Sequence, residues 1–180
     1  MMMKAKYILI AVLSIFVISC KQEVKKEKTA KEEPAALPKQ EGTIKVFNFD
    51  QLEPLLHKKD DKTYVVNFWA TWCKPCVEEL PAFEKLHKEI DSEKVEVLLV
   101  SLDFPNQIES ELIPFIKNRE LAPEVVVLDD PNQNKWINGV DKSWTGAIPA
   151  TLIYNKNKRT FFEQSFDYAT LTNELQKFIN

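Results

Sequence analysis

The sequence has few cysteines and few histidines. Its 180 residues include three Cys and two His. Three cysteines are an odd number and too few for a disulfide-rich scaffold, and a closed zinc site needs about four ligands. Cys20 ends an apolar N-terminal run, which leaves Cys73, Cys76, His57 and His87 for the rest of the chain. The two histidines are distant in sequence from the cysteine pair, so we expect no metal site.

The sequence also lacks an excess of positive charge and any flavin- or nicotinamide-binding motif. Its net charge is -3, and residues 43–180 are more acidic than this total because the N-terminal part is weakly basic. Nucleic acid is bound mainly through positive charge, so it is not an expected partner. We expect no cofactor either. A composition of 44% hydrophobic and 28% charged residues is that of an ordinary globular protein.

The first 19 residues have the pattern of a signal peptide. Lys4 and Lys6 precede the apolar run 7–19 (YILIAVLSIFVIS), which is shorter than the ~20 residues that a transmembrane helix needs. Residues 17–20 (VISC) resemble the lipobox of bacterial lipoproteins, in which the cysteine is lipidated and becomes the new N-terminus. This resemblance implies a stable lipid anchor on Cys20. An uncleaved anchor helix is the alternative, and both interpretations place the rest of the chain outside the cytoplasm.

Residues 21–42 have the composition of a flexible tether. They are rich in Lys and Glu and have few apolar side chains, so they cannot bury enough surface to fold. Fully extended, they would reach roughly 70 Å. We therefore divide the chain into a signal peptide (1–19), a lipidated cysteine with its tether (20–42) and a folded domain (43–180).

The pattern of residues 43–180 predicts alternating strands and helices. Nearly continuous apolar runs at 64–70 and 95–102 predict buried strands, and apolar residues at three- and four-residue steps after Cys76 predict a helix to about Ile90. The other predicted strands are 43–49, 124–128, 150–155 and 160–165. The other predicted helices are 50–58 with Asp50 as its cap, 108–119 with Pro114 marking a kink or a late start, 132–138, and one from Tyr168 onwards. This order indicates an α/β fold with a mixed central sheet flanked by helices.

Cys73 and Cys76 lie where a buried strand is followed by a helix. The unpaired N–H groups and the helix dipole stabilise a thiolate there, and the thiolate is the nucleophile in disulfide exchange. Cys73, at the helix tip, is therefore the predicted attacking residue, and Cys76, one turn further on, the predicted resolving residue. Pro75 suits the first turn because it lacks an N–H, and Lys74 adds a positive charge. An inert structural disulfide is the alternative.

Residues 66–76 (VNFWATWCKPC) resemble the active site of thioredoxin-fold proteins, especially the TlpA-like and ResA-like branch. Pro81 and residues 147–149 (AIP) resemble that family's helix-kinking proline and its cis-proline loop. The resemblance implies a thioredoxin-like fold over about residues 43–180 and a thiol–disulfide oxidoreductase that acts on protein disulfides. It also implies substrate contacts by Trp72, Lys74, Pro75, Ile148 and Pro149.

The buried aspartate of thioredoxin is replaced here by Asn67. The extracytoplasmic relatives share that asparagine and a glutamate three residues after the second cysteine, which is Glu79 in this chain. Glu79 could carry the proton of Cys76, provided that burial raises its pKa. The alternative for Glu79, and more so for Glu78, is a solvated charge in the first helical turn.

The resemblance also implies a physiological role. In that branch the usual role is reductive and includes cytochrome c maturation, with a membrane electron donor of the DsbD or CcdA type as partner. We therefore expect an extracytoplasmic, membrane-anchored lipoprotein of the bacterial periplasm or cell envelope. Two alternatives remain: a disulfide oxidase or isomerase, because direction depends on the relative stability of dithiol and disulfide, and a non-catalytic lipoprotein binding module. Trp136 and Trp144 could add an aromatic substrate surface, although packing is favoured for both.

Overall fold

A computed structural model describes residues 44–179. The predicted signal peptide, Cys20 and the tether lie outside the described residues. The strands of this part of the chain are β1 (Lys45–Phe47), β2 (Thr63–Trp69), β3 (Val95–Ser101), β4 (Glu124–Leu128), β5 (Ala150–Tyr154) and β6 (Arg159–Phe162). Its α-helices are α1 (Phe49–Leu52), α2 (Lys74–Glu89), α3 (Ile113–Arg119), α4 (Gln133–Val140) and α5 (Tyr168–Ile179). Between residues 44 and 179, no helix combines the length and the apolar character needed to cross a bilayer.

The six strands of this region form one mixed sheet in the order β1-β4-β3-β2-β5-β6. The first four are parallel, whereas β5 is antiparallel to β2 and β6 is antiparallel to β5. All seven residues of β2 are buried, as expected for a continuous apolar run in a central strand. The chain leaves β2 at its carboxyl end and then enters α2. The cysteine pair therefore lies at the carboxyl ends of the central parallel strands.

Hydrophobic side chains cover both faces of the sheet. On one face Val65 packs in the same cluster as Phe83 of α2 and Leu171 of α5. On the other face Val66 packs with Trp136 of α4 and with the residues of α1. Each fully buried side chain of this kind contributes roughly 1.5–3 kcal/mol relative to exposure. These two layers hold β2, and therefore the loop that follows it, in a fixed position.

Helix α1 begins earlier than the sequence pattern predicted. Its N-cap is Asn48, whose side chain accepts a hydrogen bond from the Gln51 N–H at 3.0 Å, while the Gln51 side chain accepts one from the Asn48 N–H at 3.0 Å. This reciprocal arrangement is a capping box. The prediction of Asp50 as the cap was wrong; Asp50 lies in the first turn and pairs with Lys135 at 2.5 Å. A 3₁₀ turn, Glu53–Leu56, follows α1.

The sequence pattern predicted one helix over residues 108–119, but the structure is less regular there. A 3₁₀ turn (Pro105–Gln107) is followed by a π-type turn (Ile108–Leu112), and α3 begins only at Ile113. Pro114 occupies the first turn of α3, where its missing N–H has no helical partner. The late start at Pro114, one of the two predicted outcomes, is therefore the one observed.

Candidate active site

Cys73 and Cys76 form a disulfide at the amino end of α2. Cys73 is the N-cap residue, and the Cys76 N–H donates to its Sγ at 3.3 Å. Pro75 lies in the first turn, as predicted. The Cys73 side chain is 6% exposed, whereas Cys76 is completely buried. The predicted roles stay predictions, and this order of exposure agrees with Cys73 as the sulfur that another protein reaches first.

The loop before β5 lies directly beside this disulfide. The Ile148–Pro149 peptide bond is cis, and the carbonyl oxygen of Ile148 is 3.8 Å from the Sγ of Cys73. Pro149 is buried and Ile148 is half-buried. Since β5 pairs with β2, the fold brings these two segments together although they are 75 residues apart in sequence.

Glu79 is buried in α2, and its side chain is only 4% exposed. Its Oε1 accepts a hydrogen bond from the Asn67 amide at 2.7 Å, and its Oε2 accepts one from the Phe166 N–H at 2.8 Å. Burial raises the pKa of Glu79 to about 7, although these two hydrogen bonds act in the opposite direction. The interpretation of Glu79 as a solvated charge was therefore wrong, because α2 turns this side chain towards β2 and the segment before α5.

Asn67 links the Glu79 carboxyl to the sheet. Its side-chain nitrogen also donates to the Thr151 hydroxyl at 3.1 Å. Its Oδ1 is buried and has no hydrogen-bond partner among residues 44–179. A protonated Glu79 could donate to this oxygen if the Asn67 amide rotated, because an amide offers one acceptor and two donors. This rotation would give the protonated carboxyl an acceptor, but the amide nitrogen would lose its contact with Thr151.

The remaining predicted residues of the first turn face solvent. Lys74 and Glu78 are exposed and form an ion pair at 3.7 Å, which contributes little because exposed pairs are screened by water. Trp72 is about half exposed and stacks against Phe104, with 6.1 Å between the ring centroids. Glu78 is thus the neighbour of Glu79 in sequence, but its side chain is exposed whereas that of Glu79 is buried.

The two tryptophans considered for a substrate surface are mainly packing residues. Both are buried, and their rings meet edge to face with centroids 5.3 Å apart. The Trp136 Nε1–H donates to the Asp130 carbonyl oxygen at 3.1 Å, and the Trp144 Nε1–H donates to the Ala147 carbonyl oxygen at 2.8 Å. Trp144 therefore stabilises the loop that precedes the cis-proline.

Asp103 is a buried carboxylate that sequence reasoning missed. It accepts hydrogen bonds from the Thr71 N–H at 3.1 Å, from the Thr71 hydroxyl and from the Ser101 hydroxyl at 2.7 Å. Thr71 lies two residues before Cys73, so Asp103 fixes the loop between β2 and α2. The signal in the sequence was an aspartate directly after the apolar run 95–102.

Glu163 fixes the opposite loop in the same way. Its carboxylate accepts hydrogen bonds from the Thr145 N–H and the Ala147 N–H, both at 3.1 Å, and from the Thr145 hydroxyl. Burial opposes ionisation here, but these hydrogen bonds outweigh it and lower the pKa of Glu163. Sequence reasoning missed this contact too, since nothing local connects β6 to residue 145. Two loops meet at the disulfide, and each is held by its own carboxylate: Asp103 holds one and Glu163 the other.

These features define the class of the protein. A mixed sheet whose central strand leads into a helix capped by a cysteine pair, with a cis-proline loop facing that pair, is the arrangement of thioredoxin-like proteins. The chain belongs to the AhpC/TSA family, which residues 37–159 match. The predicted thioredoxin-like fold is confirmed.

Curated relatives of the chain include thioredoxin-like oxidoreductases. The thiol-disulfide oxidoreductase ResA of Geobacillus thermodenitrificans is 29% identical over 120 residues, which are 64% of this chain and 63% of the relative. The thioredoxin-like protein YneN of Bacillus subtilis is 38% identical over 66 residues, which are 37% of this chain and 38% of the relative. The chain thus spans less than two thirds of the length of these relatives. They support the resemblance to the ResA-like branch.

Solved structures show the same fold. A thiol:disulfide interchange protein of the thioredoxin family from Chlorobium tepidum superposes with a TM-score of 0.56 at 19% identity, covering 67% of this chain and 81% of that one. The thioredoxin domain of a thiol-disulfide oxidoreductase from Bacteroides vulgatus superposes with a TM-score of 0.54 at 21% identity, again covering 67% and 81%. At these identities the comparison concerns the fold alone.

Proposed function

We propose that this protein is a thiol–disulfide oxidoreductase that reduces disulfides of other proteins through Cys73 and Cys76. The observation that carries the proposal is the disulfide at the amino end of α2, with Cys73 slightly exposed beside the Ile148 carbonyl group. After reduction, the helix amino end stabilises a thiolate at Cys73. Relatives named thiol-disulfide oxidoreductase ResA support the same activity.

The reaction proceeds in two exchanges. The Cys73 thiolate attacks one sulfur of the substrate disulfide, so that a mixed disulfide forms and the second substrate sulfur leaves as a thiolate. The Cys76 thiolate then attacks the Sγ of Cys73, which restores the Cys73–Cys76 disulfide and releases the first substrate sulfur. Two electrons pass to the substrate, and its two sulfurs take up two protons. A dithiol donor must afterwards reduce the protein again.

Glu79 is the proposed proton carrier for Cys76. The buried thiol of Cys76 must lose its proton before it attacks the mixed disulfide. Glu79 follows Cys76 by three residues and therefore lies on the same side of α2. A carboxyl group with a pKa of about 7 is partly ionised near neutral pH, so it can accept this proton and release it again.

The substrate is proposed to lie across the surface around the disulfide. Trp72, Lys74 and Pro75 are exposed there, and Ile148 is half-buried at the other side of Cys73. We assign the substrate backbone to the edge formed by Ile148 and Pro149, and its side chains to the exposed residues of the first turn of α2. This is the substrate-binding set predicted from the sequence.

Membrane anchoring through Cys20 and a position outside the cytoplasm are also part of the proposal. They are supported by the signal-peptide pattern and the lipobox-like residues 17–20. A reductase in an oxidising compartment needs electrons from across the membrane. We therefore propose a membrane donor of the DsbD or CcdA type, and a role in processes such as cytochrome c maturation.

Equilibrium and turnover measurements test the proposed function together. Equilibration of the Cys73–Cys76 couple with glutathione mixtures should give a potential nearer to that of thioredoxin, about -270 mV, than to that of a strong thioredoxin-fold oxidant, about -120 mV. Reduction of a protein disulfide should be catalytic and should stop with Cys73→Ser. A strongly oxidising potential would instead indicate an oxidase or isomerase, and a stable disulfide without turnover would indicate a binding module.

A further inference from the structure

Two aromatic side chains near the disulfide are exposed to solvent. Among residues 44–179, four large apolar side chains are substantially exposed: Val46, Trp72, Phe104 and Ile179. Trp72 and Phe104 are 52% and 59% exposed and stack with an angle of 17° between their planes. Trp72 directly precedes Cys73. Contiguous exposed apolar surface of this kind marks binding sites.

The aromatic pair forms one side of a groove. Trp72 and Phe104 line a cavity of about 350 Å³, which Gly146 and Ile148 also line. The carbonyl oxygen of Ile148 is 3.8 Å from the Sγ of Cys73. A substrate segment whose cysteine reaches Cys73 therefore has its neighbouring residues at the entrance of this groove.

The charged residues that line the groove are all acidic. They are Asp103, Asp129 and Asp130. The carboxylates of Asp103 and Asp130 accept hydrogen bonds from the protein itself. Asp129 is exposed, and its carboxylate forms no hydrogen bond or ion pair with another residue of the described range 44–179. It is thus free to pair with a cation from outside.

We propose that this groove, bounded by Trp72, Phe104, Asp129 and Ile148, selects the substrate by the residues next to its cysteine. Its occupant is an extended segment of a substrate protein that carries an aromatic side chain and a lysine or arginine close to the disulfide. The aromatic side chain packs against Phe104 and the cation pairs with Asp129. The inference rests on the proposed disulfide exchange and specifies which protein disulfides exchange fastest.

The test uses the reduced full chain carrying Cys76→Ser, which retains the mixed disulfide. Its substrates are four symmetric peptide dimers, each joined by one disulfide, with Phe-Lys, Phe-Glu, Ser-Lys or Ser-Glu next to the cysteine. The Cys73 thiolate breaks the peptide disulfide, binds one peptide and releases the other as a thiolate. Mass spectrometry of a digest gives the rate at Cys73 and separates it from reaction at Cys20.

Two variants of the groove are compared with two matched controls. Phe104→Ala has Val46→Ala as its control, because Val46 is an exposed apolar residue of the edge strand β1. Asp129→Asn has Glu93→Gln as its control, because Glu93 is an exposed carboxylate beyond the carboxyl end of α2. None of the four substitutions changes a residue that contacts the disulfide.

We expect Phe peptides to react about three- to tenfold faster than Ser peptides, and Phe104→Ala to remove this preference. We expect Lys peptides to react about two- to fivefold faster than Glu peptides, with the preference lost in Asp129→Asn and at about 1 M salt. The control variants should keep both preferences.

Equal rates for all peptides would overturn the inference, as would self-association of the protein that Phe104→Ala abolishes. If no peptide reacts at Cys73 in any variant, the proposed function itself fails.

Discussion

Replacing Glu79 with glutamine should remove a pH-dependent loss of stability. The Glu79 carboxyl is buried, and burial raises its pKa to about 7 from an ordinary value of 4.5. Glutamine has nearly the same shape but cannot ionise. The variant therefore resembles the protonated form of Glu79 at every pH.

The sign of the effect follows from proton binding. Well below pH 4.5 the carboxyl is protonated in both the folded and the unfolded chain. Between pH 4.5 and 7 the unfolded chain releases the proton first, so the free energy of unfolding falls as pH rises through the folded-state pKa. The gap between 4.5 and about 7 corresponds to roughly 3 kcal/mol, since one pKa unit is about 1.4 kcal/mol.

Glu79→Gln should therefore become more stable relative to the parent as pH rises, by roughly 2–3 kcal/mol between pH 5 and 8. The glutamine amide also needs an acceptor, which the Asn67 Oδ1 can supply because it has no partner among residues 44–179. If the Asn67 amide does not rotate, the variant loses about 1 kcal/mol at all pH values. A buried carboxyl is therefore identified by how the stability difference between variant and parent changes with pH, and not by a constant difference at all pH values.

Urea unfolding of the oxidised proteins between pH 5 and 8 measures this difference. The closed disulfide keeps both cysteines from titrating, and the two histidines are common to parent and variant. Glu78→Gln is the control, because Glu78 is exposed and its replacement should change stability by less than about 0.5 kcal/mol at any pH. A Glu79→Gln difference that is the same at pH 5 and pH 8 would refute a raised pKa.

The same two variants test the proton carrier. If Glu79 takes the proton of Cys76, Glu79→Gln should slow the release of substrate from the mixed disulfide. The rate should also lose its inflection near pH 7. Glu78→Gln should leave the profile from pH 5 to 9 unchanged. Superimposable profiles for the parent and both variants would exclude Glu79 from the mechanism while leaving the stability prediction intact.

Further predictions concern the cysteines and the two carboxylates that hold the loops. Cys73→Ser should abolish exchange, whereas Cys76→Ser should accumulate mixed disulfides on non-reducing gels; the reverse pattern would exchange their roles. Cys20→Ala should prevent lipid attachment, and mass spectrometry showing an unmodified Cys20 in the mature parent would contradict the anchor. Asp103→Asn leaves buried donors without a charged acceptor and should lower the free energy of unfolding by about 1–3 kcal/mol. Glu163→Gln should raise KM for protein disulfides more than it lowers kcat, because Glu163 holds the loop that we propose binds the substrate; equal effects on both would argue against this role.

The sequence was sufficient for those features that local patterns determine. The apolar run of β2 and the three- and four-residue spacing in α2 predicted the central strand and the helix, and together they placed Cys73 at the helix tip. The burial of Glu79 could not be predicted in this way. It depends on the Phe166 N–H, 87 residues further along the chain, so its first-turn position pointed equally well to a solvated charge.

The same limit applies to the loops. Asp103 and Thr71 are 32 residues apart, and Glu163 and Thr145 are 18 apart. Neither pair belongs to a recognisable motif. Their contacts arise because β2 lies between β3 and β5, with β6 paired to β5. Which carboxylate meets which loop is therefore a property of the sheet order rather than of any short segment.

The direct pairing of β2 with β5 has a consequence for engineering. Phe68 is in register with Ala150, so the cysteine pair and the cis-proline loop emerge from adjacent strands on one rigid frame. The loop that carries Phe104 leaves β3, on the other side of β2. Grafting other sequences at residues 104–107 should therefore change which partners the protein accepts while leaving its reduction potential unaltered. Phe104 and Pro105 are a part of the proposed groove that belongs to neither of the two segments flanking the disulfide.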